Sequence, residues 1–191
     1  MVFLNSKPDK EELPKEQVEK IQEGHMANIK RLAKEGKLLD AGPFEGGGGI
    51  FILNTASVGE ATEWLSTDPG VKAKRWNIEI LLFTPRIGTP CKAPEPIEMV
   101  TYEFVRYIAN ITKYNVQNAP ETARKHDEYL KQIAKTGNVI LEGTFGEDGG
   151  ILIMKGALQK EVIESDPSLN EGLYQVEFKK LFIAKGSFCE R

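Results

Sequence analysis

The feature that most constrains this chain is that much of it is written twice. His25, Lys30, Ala33, Lys34 and Gly36 return as His126, Lys131, Ala134, Lys135 and Gly137. Gly42, Phe44, Gly48, Gly49, Ile50 and Ile52 return at the same spacing as Gly143, Phe145, Gly149, Gly150, Ile151 and Ile153. The spacing then shortens slightly, and Asp68-Pro69, Glu79, Gly88 and Cys91 meet Asp166-Pro167, Glu177, Gly186 and Cys189. A run of identities at fixed offset marks an internal duplication. Between the copies stand Pro85, Pro90, Pro94 and Pro96. Proline fixes φ and removes backbone donors, so this reads as a stiff, extended linker. We therefore expect repeat one over residues 1–84, a linker over 85–97 and repeat two over 98–191.

Each copy spells the same elements. Val18, Ile21, His25, Ile29 and Leu32 fall at helical spacing and predict one buried face, with Pro14 in the first turn and Gly36 at the stop. Leu38–Gly42 reads as a strand, Glu45–Gly49 as a tight turn and Ile50–Leu53 as the returning strand. Ser57 and Glu60 form a capping box for a second helix that ends at Asp68-Pro69. Trp76–Leu82 alternates as a half-buried strand. In copy two a strand over about 100–109 precedes a helix over about 120–135, and the second helix is shorter.

The order β-α-β-β-α-β is the ferredoxin-like split βαβ unit, an α+β fold. Its two helices cover one sheet face, and the bare face must find a partner. The second copy is covalently at hand, so the two sheets are expected to pack face to face as a pseudo-two-fold pair.

A formal net charge of −3 gives no electrostatic reason to bind nucleic acid or an anionic membrane. With 40% hydrophobic and 28% charged residues the chain reads as globular. No apolar run reaches the roughly 20 residues of a spanning helix. Met1–Asn5 reads as a strand under way, without the regions of a signal peptide. We expect a cytoplasmic protein, or an exported one if an upstream segment has been removed.

The His-bearing first helix, the run from Leu32 to Phe44, the glycine-rich turn, Gly49–Leu53, Ser66–Pro69 and a closing strand with Glu79 together resemble the YciI-like (YCII-related) family. The resemblance spans nearly the whole of each copy. It implies a ferredoxin-like fold that pairs as a dimeric α+β barrel, here fused into one chain. It also implies a pocket with a His and an Asp acting as an acid–base pair, and chemistry without a cofactor on small organic molecules. Matched position by position, these are His25 with Asp68 and His126 with Asp166. Copy two departs from the pattern at Thr144, where copy one has Pro43, and its shorter second helix would deform or close its pocket, which makes the first site the stronger candidate.

The two histidines are the chain's only ones, and both occupy the same place in the repeat. A histidine on an apolar helix face is ordinarily a satisfied core residue. Its return in both copies, each time with an aspartate, favours a site. A carboxylate on one ring nitrogen fixes the tautomer and makes the other a better base. Asp-Pro after a helix also serves as a cap and stop, and the two roles can coexist. Gly46–Gly49 leads into a strand, so it is a hairpin turn and not a phosphate loop. Gly42 and Gly143 are expected to permit a close backbone approach beside the pocket, and Phe44 and Phe145 to supply its apolar wall.

No zinc-like spacing is present, and no flavin or nicotinamide fingerprint, so no metal or organic cofactor is expected. Cys91 and Cys189 are free thiols in a reducing cytosol or a disulfide in an oxidising compartment. The leading expectation is an acid–base enzyme of isomerase or lyase type acting on a small molecule. Its rivals are a non-catalytic ligand-binding or accessory module, and a His-Asp pair that only organises the core. We expect a monomer with an internal pseudo-dimer, further homo-oligomerisation being left open.

Overall fold

Alternating and helical spacings translate directly into elements in the computed structural model, which describes residues 1–110, 112 and 115–189. In chain order they are β1 (Val2–Ser6), α1 (Lys15–Lys34), β2 (Leu38–Pro43), β3 (Gly49–Leu53), α2 (Val58–Leu65), α3 (Pro69–Lys72), β4 (Trp76–Ile80), β5 (Thr84–Ile87) and β6 (Thr89–Pro90). There follow β7 (Met99–Ala109), α4 (Ala119–Ala134), β8 (Val139–Thr144), β9 (Gly149–Met154), α5 (Lys160–Glu164), α6 (Pro167–Asn170), β10 (Tyr174–Ala184) and β11 (Phe188–Cys189). The fold is α+β. No helix among the described residues is long and apolar enough to cross a membrane.

The chain divides into two compact units. Unit one comprises residues 1–82, 90–100 and 181–187, and unit two comprises residues 83–89, 101–180 and the chain from Phe188.

Unit one is built on a sheet of order β2-β3-β1-β4, in which β1 pairs antiparallel with both β3 and β4. Alternation along the strands sends Val2, Leu4, Phe51 and Leu53 to one core, where Leu32 of α1 and Leu65 of α2 meet them. The buried positions of α1 are His25, Asn28 and Leu32. Val18, expected on that face, is 36% exposed. A helix of 20 residues is about 30 Å long, whereas a strand of five spans about 17 Å, so the first turns of α1 outrun the sheet.

Unit two has the sheet order β10-β7-β9-β8-β5. Val105, Tyr107, Leu152 and Met154 face Leu130 and Ile133 of α4 and Ile163 of α5. The proline-rich stretch contributes a strand here: Thr84 pairs with Thr144 and Pro85 with Gly143, antiparallel. Proline is tolerated at such a sheet edge, where its missing donor costs no ladder bond.

In unit one the corresponding place beside β2 is taken by the end of β10, through a bridge between Phe44 and Leu181. Glycine makes both approaches feasible. A Cβ at Gly42 would lie 2.5 Å from the Phe182 carbonyl oxygen, and one at Gly143 would lie 2.4 Å from that of Thr84. Unit one thus takes its edge segment from the end of β10, and unit two takes its own from β5. Neither cysteine is a free thiol: Cys91 and Cys189 are disulfide-bonded.

Candidate functional site

Asp68 enters the core of unit one because it caps α3. One carboxylate oxygen, Oδ1, accepts from the backbone N–H groups of Gly70 (2.8 Å) and Val71 (3.2 Å), and Pro69 fills the first helical turn. The other, Oδ2, is 2.9 Å from His25 Nδ1 and accepts from Asn28 Nδ2 at 3.1 Å. Asp68 is fully buried. Burial alone pushes its carboxyl up, but the hydrogen bond and charge of His25, with help from Val71 and Asn28, outweigh this and hold it below the usual carboxylate range.

The surroundings fix this geometry. Asn28 Oδ1 accepts from Arg31 (2.8 Å) and Thr67 (3.0 Å), which settles the orientation of its amide. Gly24 lets α1 close on α3, since a Cβ there would meet the Pro69 ring at 2.9 Å. The His25 ring is stacked on Phe51 at 5.6 Å and tilted against Trp76 at 4.9 Å. It lines a cavity of about 450 Å³ within the range of small-molecule sites. With Nδ1 committed to Asp68, Nε2 is the nitrogen left for a ligand.

Unit two repeats the pair and fills the space. His126 Nδ1 is 2.7 Å from Asp166 Oδ2, and Asp166 Oδ1 accepts from both the backbone N–H (2.8 Å) and the hydroxyl (2.7 Å) of Ser168. Ser168 stands where unit one has Gly70, a glycine whose Cβ would come within 2.4 Å of the Trp76 ring. In unit two the matching aromatic is the smaller Tyr174, 4.9 Å from His126. Ser168 is no nucleophile. It is fully buried, donates to Asp166, and approaches the histidine on the same Nδ1 side at 3.2 Å.

The cavity beside His126 measures about 30 Å³, room for little more than water. Strand register makes Tyr107 the counterpart of Leu4, since they face Gly150 and Gly49 respectively. By the repeat spacing, Asp127, Glu142 and Arg86 replace Met26, Ala41 and Ala184. Arg86 donates through Nε to both oxygens of the buried Glu142 at 3.0 Å, and through a terminal nitrogen to Asp127 at 2.6 Å. Burial lowers the Arg86 pKa, but these carboxylates more than compensate and raise it above its ordinary value. The Tyr107 ring sits 4.7 Å from His126. Its hydroxyl is buried beside Asp166 without a well-formed hydrogen bond, and burial together with the Asp166 charge raises the phenol pKa.

The family model of the YCII-related domain matches residues 1–83. Residues 1–83 are a YCII-related domain. Two solved structures are similar over the whole of this chain. A candidate monooxygenase from Lactobacillus acidophilus NCFM is 13% identical, with 96% of that chain covered and a TM-score of 0.47. Another from Fusobacterium nucleatum subsp. nucleatum ATCC 25586 is 11% identical, with 92% covered and a TM-score of 0.49. No curated protein matches the chain.

Within the YCII-related domain, His25, Asp68 and Gly42 come together at the cavity, with Asp68 reaching it only through His25. In unit two His126 and Gly143 line the small remnant, with Asp166 behind His126. Phe44 and Phe145 line neither cavity. Phe44 is buried at the bridge to Leu181, and Phe145 packs on Phe83 at 5.4 Å. Their position after the hairpin strand aims them at the borrowed edge segments. Trp76, Leu4 and Met26 form the apolar wall of the YCII-related domain instead. Asn28 also belongs to its site. It lies one helical turn from His25, a spacing that could have pointed to it. Among the described residues no group of three or more His, Cys, Asp or Glu side chains is placed to hold a metal ion.

Proposed function

We propose that the YCII-related domain of unit one is a cofactor-independent acid–base catalyst of isomerase or lyase type acting on a small organic molecule. One observation carries this reading: His25 lines a cavity of small-molecule size while its Nδ1 is engaged by a buried, ionised Asp68. The carboxylate holds the ring in the Nδ1–H form, which leaves the Nε2 lone pair for the substrate. His25 Nε2 would take a proton from a carbon next to an electron-withdrawing group. Asp68 would then stabilise the imidazolium without taking the proton itself. Return of that proton to a different atom completes an isomerisation, and its delivery to a departing hydroxide or alkoxide completes an elimination. Asp68 and Asn28 are positioning residues in this scheme.

Unit two is read as a diverged second copy of the same domain, whose His126–Asp166 pair ties α4 to α6. The bare sheet faces inferred from the sequence support pairing of the copies as a fused dimeric α+β barrel. A monomeric mass in solution is expected, and an obligate dimer would count against that pairing.

The acid–base reading is tested by incubating the protein in D₂O with a panel of cyclic ketones and β-hydroxy ketones and following loss of the α-proton signals by NMR. Exchange or elimination that disappears in His25→Gln supports it. Ligands that bind beside His25 without any exchange would favour a binding module instead.

A further inference from the structure

We propose that the cavity of unit one selects an uncharged, mainly apolar molecule bearing a carbonyl or hydroxyl group, and that Gln22 holds that group. This deepens the acid–base reading by naming its substrate class, and it is tested through binding alone.

Leu4, Met26, Ile50, Trp76 and Phe182 give the cavity apolar walls. Apart from the indole N–H of Trp76, Gln22 and His25 are the only polar side chains among its described lining residues, which include neither Arg nor Lys. A carboxylate or phosphate entering would lose its hydration with no cation to replace it. His25 is no substitute, because its positive form already answers to Asp68. A neutral molecule meets no such penalty and gains from burying its apolar surface.

Gln22 is placed for the one polar contact. It lies one turn before Met26 and two before Ile29 on α1, so the three share the helix face that lines the cavity. Gln22 is exposed and so sits at the rim, whereas His25 is buried. A ligand held between them would present its carbonyl or hydroxyl to an amide, which can donate or accept. Unit two inverts this polarity at the equivalent positions. Gln22 gives way to Ala123, while the apolar Met26 and Ala41 become the charged Asp127 and Glu142.

Three probes of one shape separate the possibilities: methylnaphthalene, its acetyl analogue and naphthoate. Binding is followed by NMR of carbon-13-labelled methionine methyls, since Met26 and Met99 both line the cavity. The acetyl compound should shift both methyls and bind at least about tenfold more tightly than naphthoate. Gln22→Leu, at an exposed helix position where both residues are good helix formers, should weaken the acetyl compound about fivefold and leave methylnaphthalene unchanged. Naphthoate binding as tightly as the ketone overturns the proposal. So does a Gln22→Leu variant that affects ketone and hydrocarbon alike, or the absence of any shift with all three probes. The expected binding pattern without α-proton exchange would sink the acid–base reading and leave this one standing.

Discussion

His25 Nδ1 lies 2.9 Å from Oδ2 of Asp68, and the same carboxylate caps α3 through Gly70 and Val71. One buried side chain therefore orients the ring on α1 and anchors α3.

Asp68→Ala removes four hydrogen-bonding contacts at a fully buried position. The loss of a cap and of a charge-assisted bond predicts a destabilisation of about 2–4 kcal/mol in urea denaturation. A loss below about 1 kcal/mol would mean that the network is replaced by water without cost.

Acid should act through the same group. The Asp68 carboxyl is held below its ordinary value of 3.8, despite burial, mainly by His25. A folded-state pKa below the unfolded one gives stability that is present above the unfolded value and is lost as pH falls through the folded value. Denaturation midpoints of the wild type should therefore fall as pH drops below about 4, more steeply than those of Asp68→Asn. Parallel profiles for the two proteins would contradict this.

Much of this was legible in the sequence, for reasons tied to particular residues. His25 and Asp68 could be matched with His126 and Asp166 because each returns in the repeat, and the pairing of His with Asp followed from the resemblance to the YciI-like family. The element order followed from spacing alone. The shorter second helix of copy two already pointed to a deformed or closed second pocket, but the side chains that fill it were hidden. Tyr107 lies on β7, before the matched run begins, so only strand register reveals it as the counterpart of Leu4. Arg86 lies in a stretch whose prolines read as linker, and its ion pair with Glu142 needs the pairing of β5 with β8. Phe44 and Phe145 were misplaced for a related reason: the segments they pack against come from the far end of the other repeat.

The filled cavity of unit two gives two variants of opposite sign. Arg86→Ala leaves Glu142, 4% exposed, without its cation and should cost about 1–3 kcal/mol. Tyr107→Phe deletes a buried hydroxyl that lacks a well-formed hydrogen bond, so stability should stay within about 0.5 kcal/mol of wild type or rise. Equal losses in the two variants, measured by thermal or urea unfolding, would show that the tyrosine hydroxyl is bound after all.

The cysteines offer a direct count. Cys91 and Cys189 are both disulfide-bonded, so denatured but unreduced protein should contain no titratable thiol. Reduction should lower the denaturation midpoint, by an amount in the usual disulfide range of about 2–4 kcal/mol. Two thiols in protein purified without reductant would overturn the first statement.

The most direct measurement is the imidazole nitrogen NMR spectrum of protein labelled with nitrogen-15 histidine, in wild type and in Asp68→Asn. The proton of neutral His25 should sit on Nδ1, with Nε2 bare and its signal moved by ligands in the cavity. Asp68→Asn should disturb that tautomer while leaving His126 as it was. A His25 ring protonated on Nε2, or one indifferent to Asp68→Asn, would contradict the base assigned to this site.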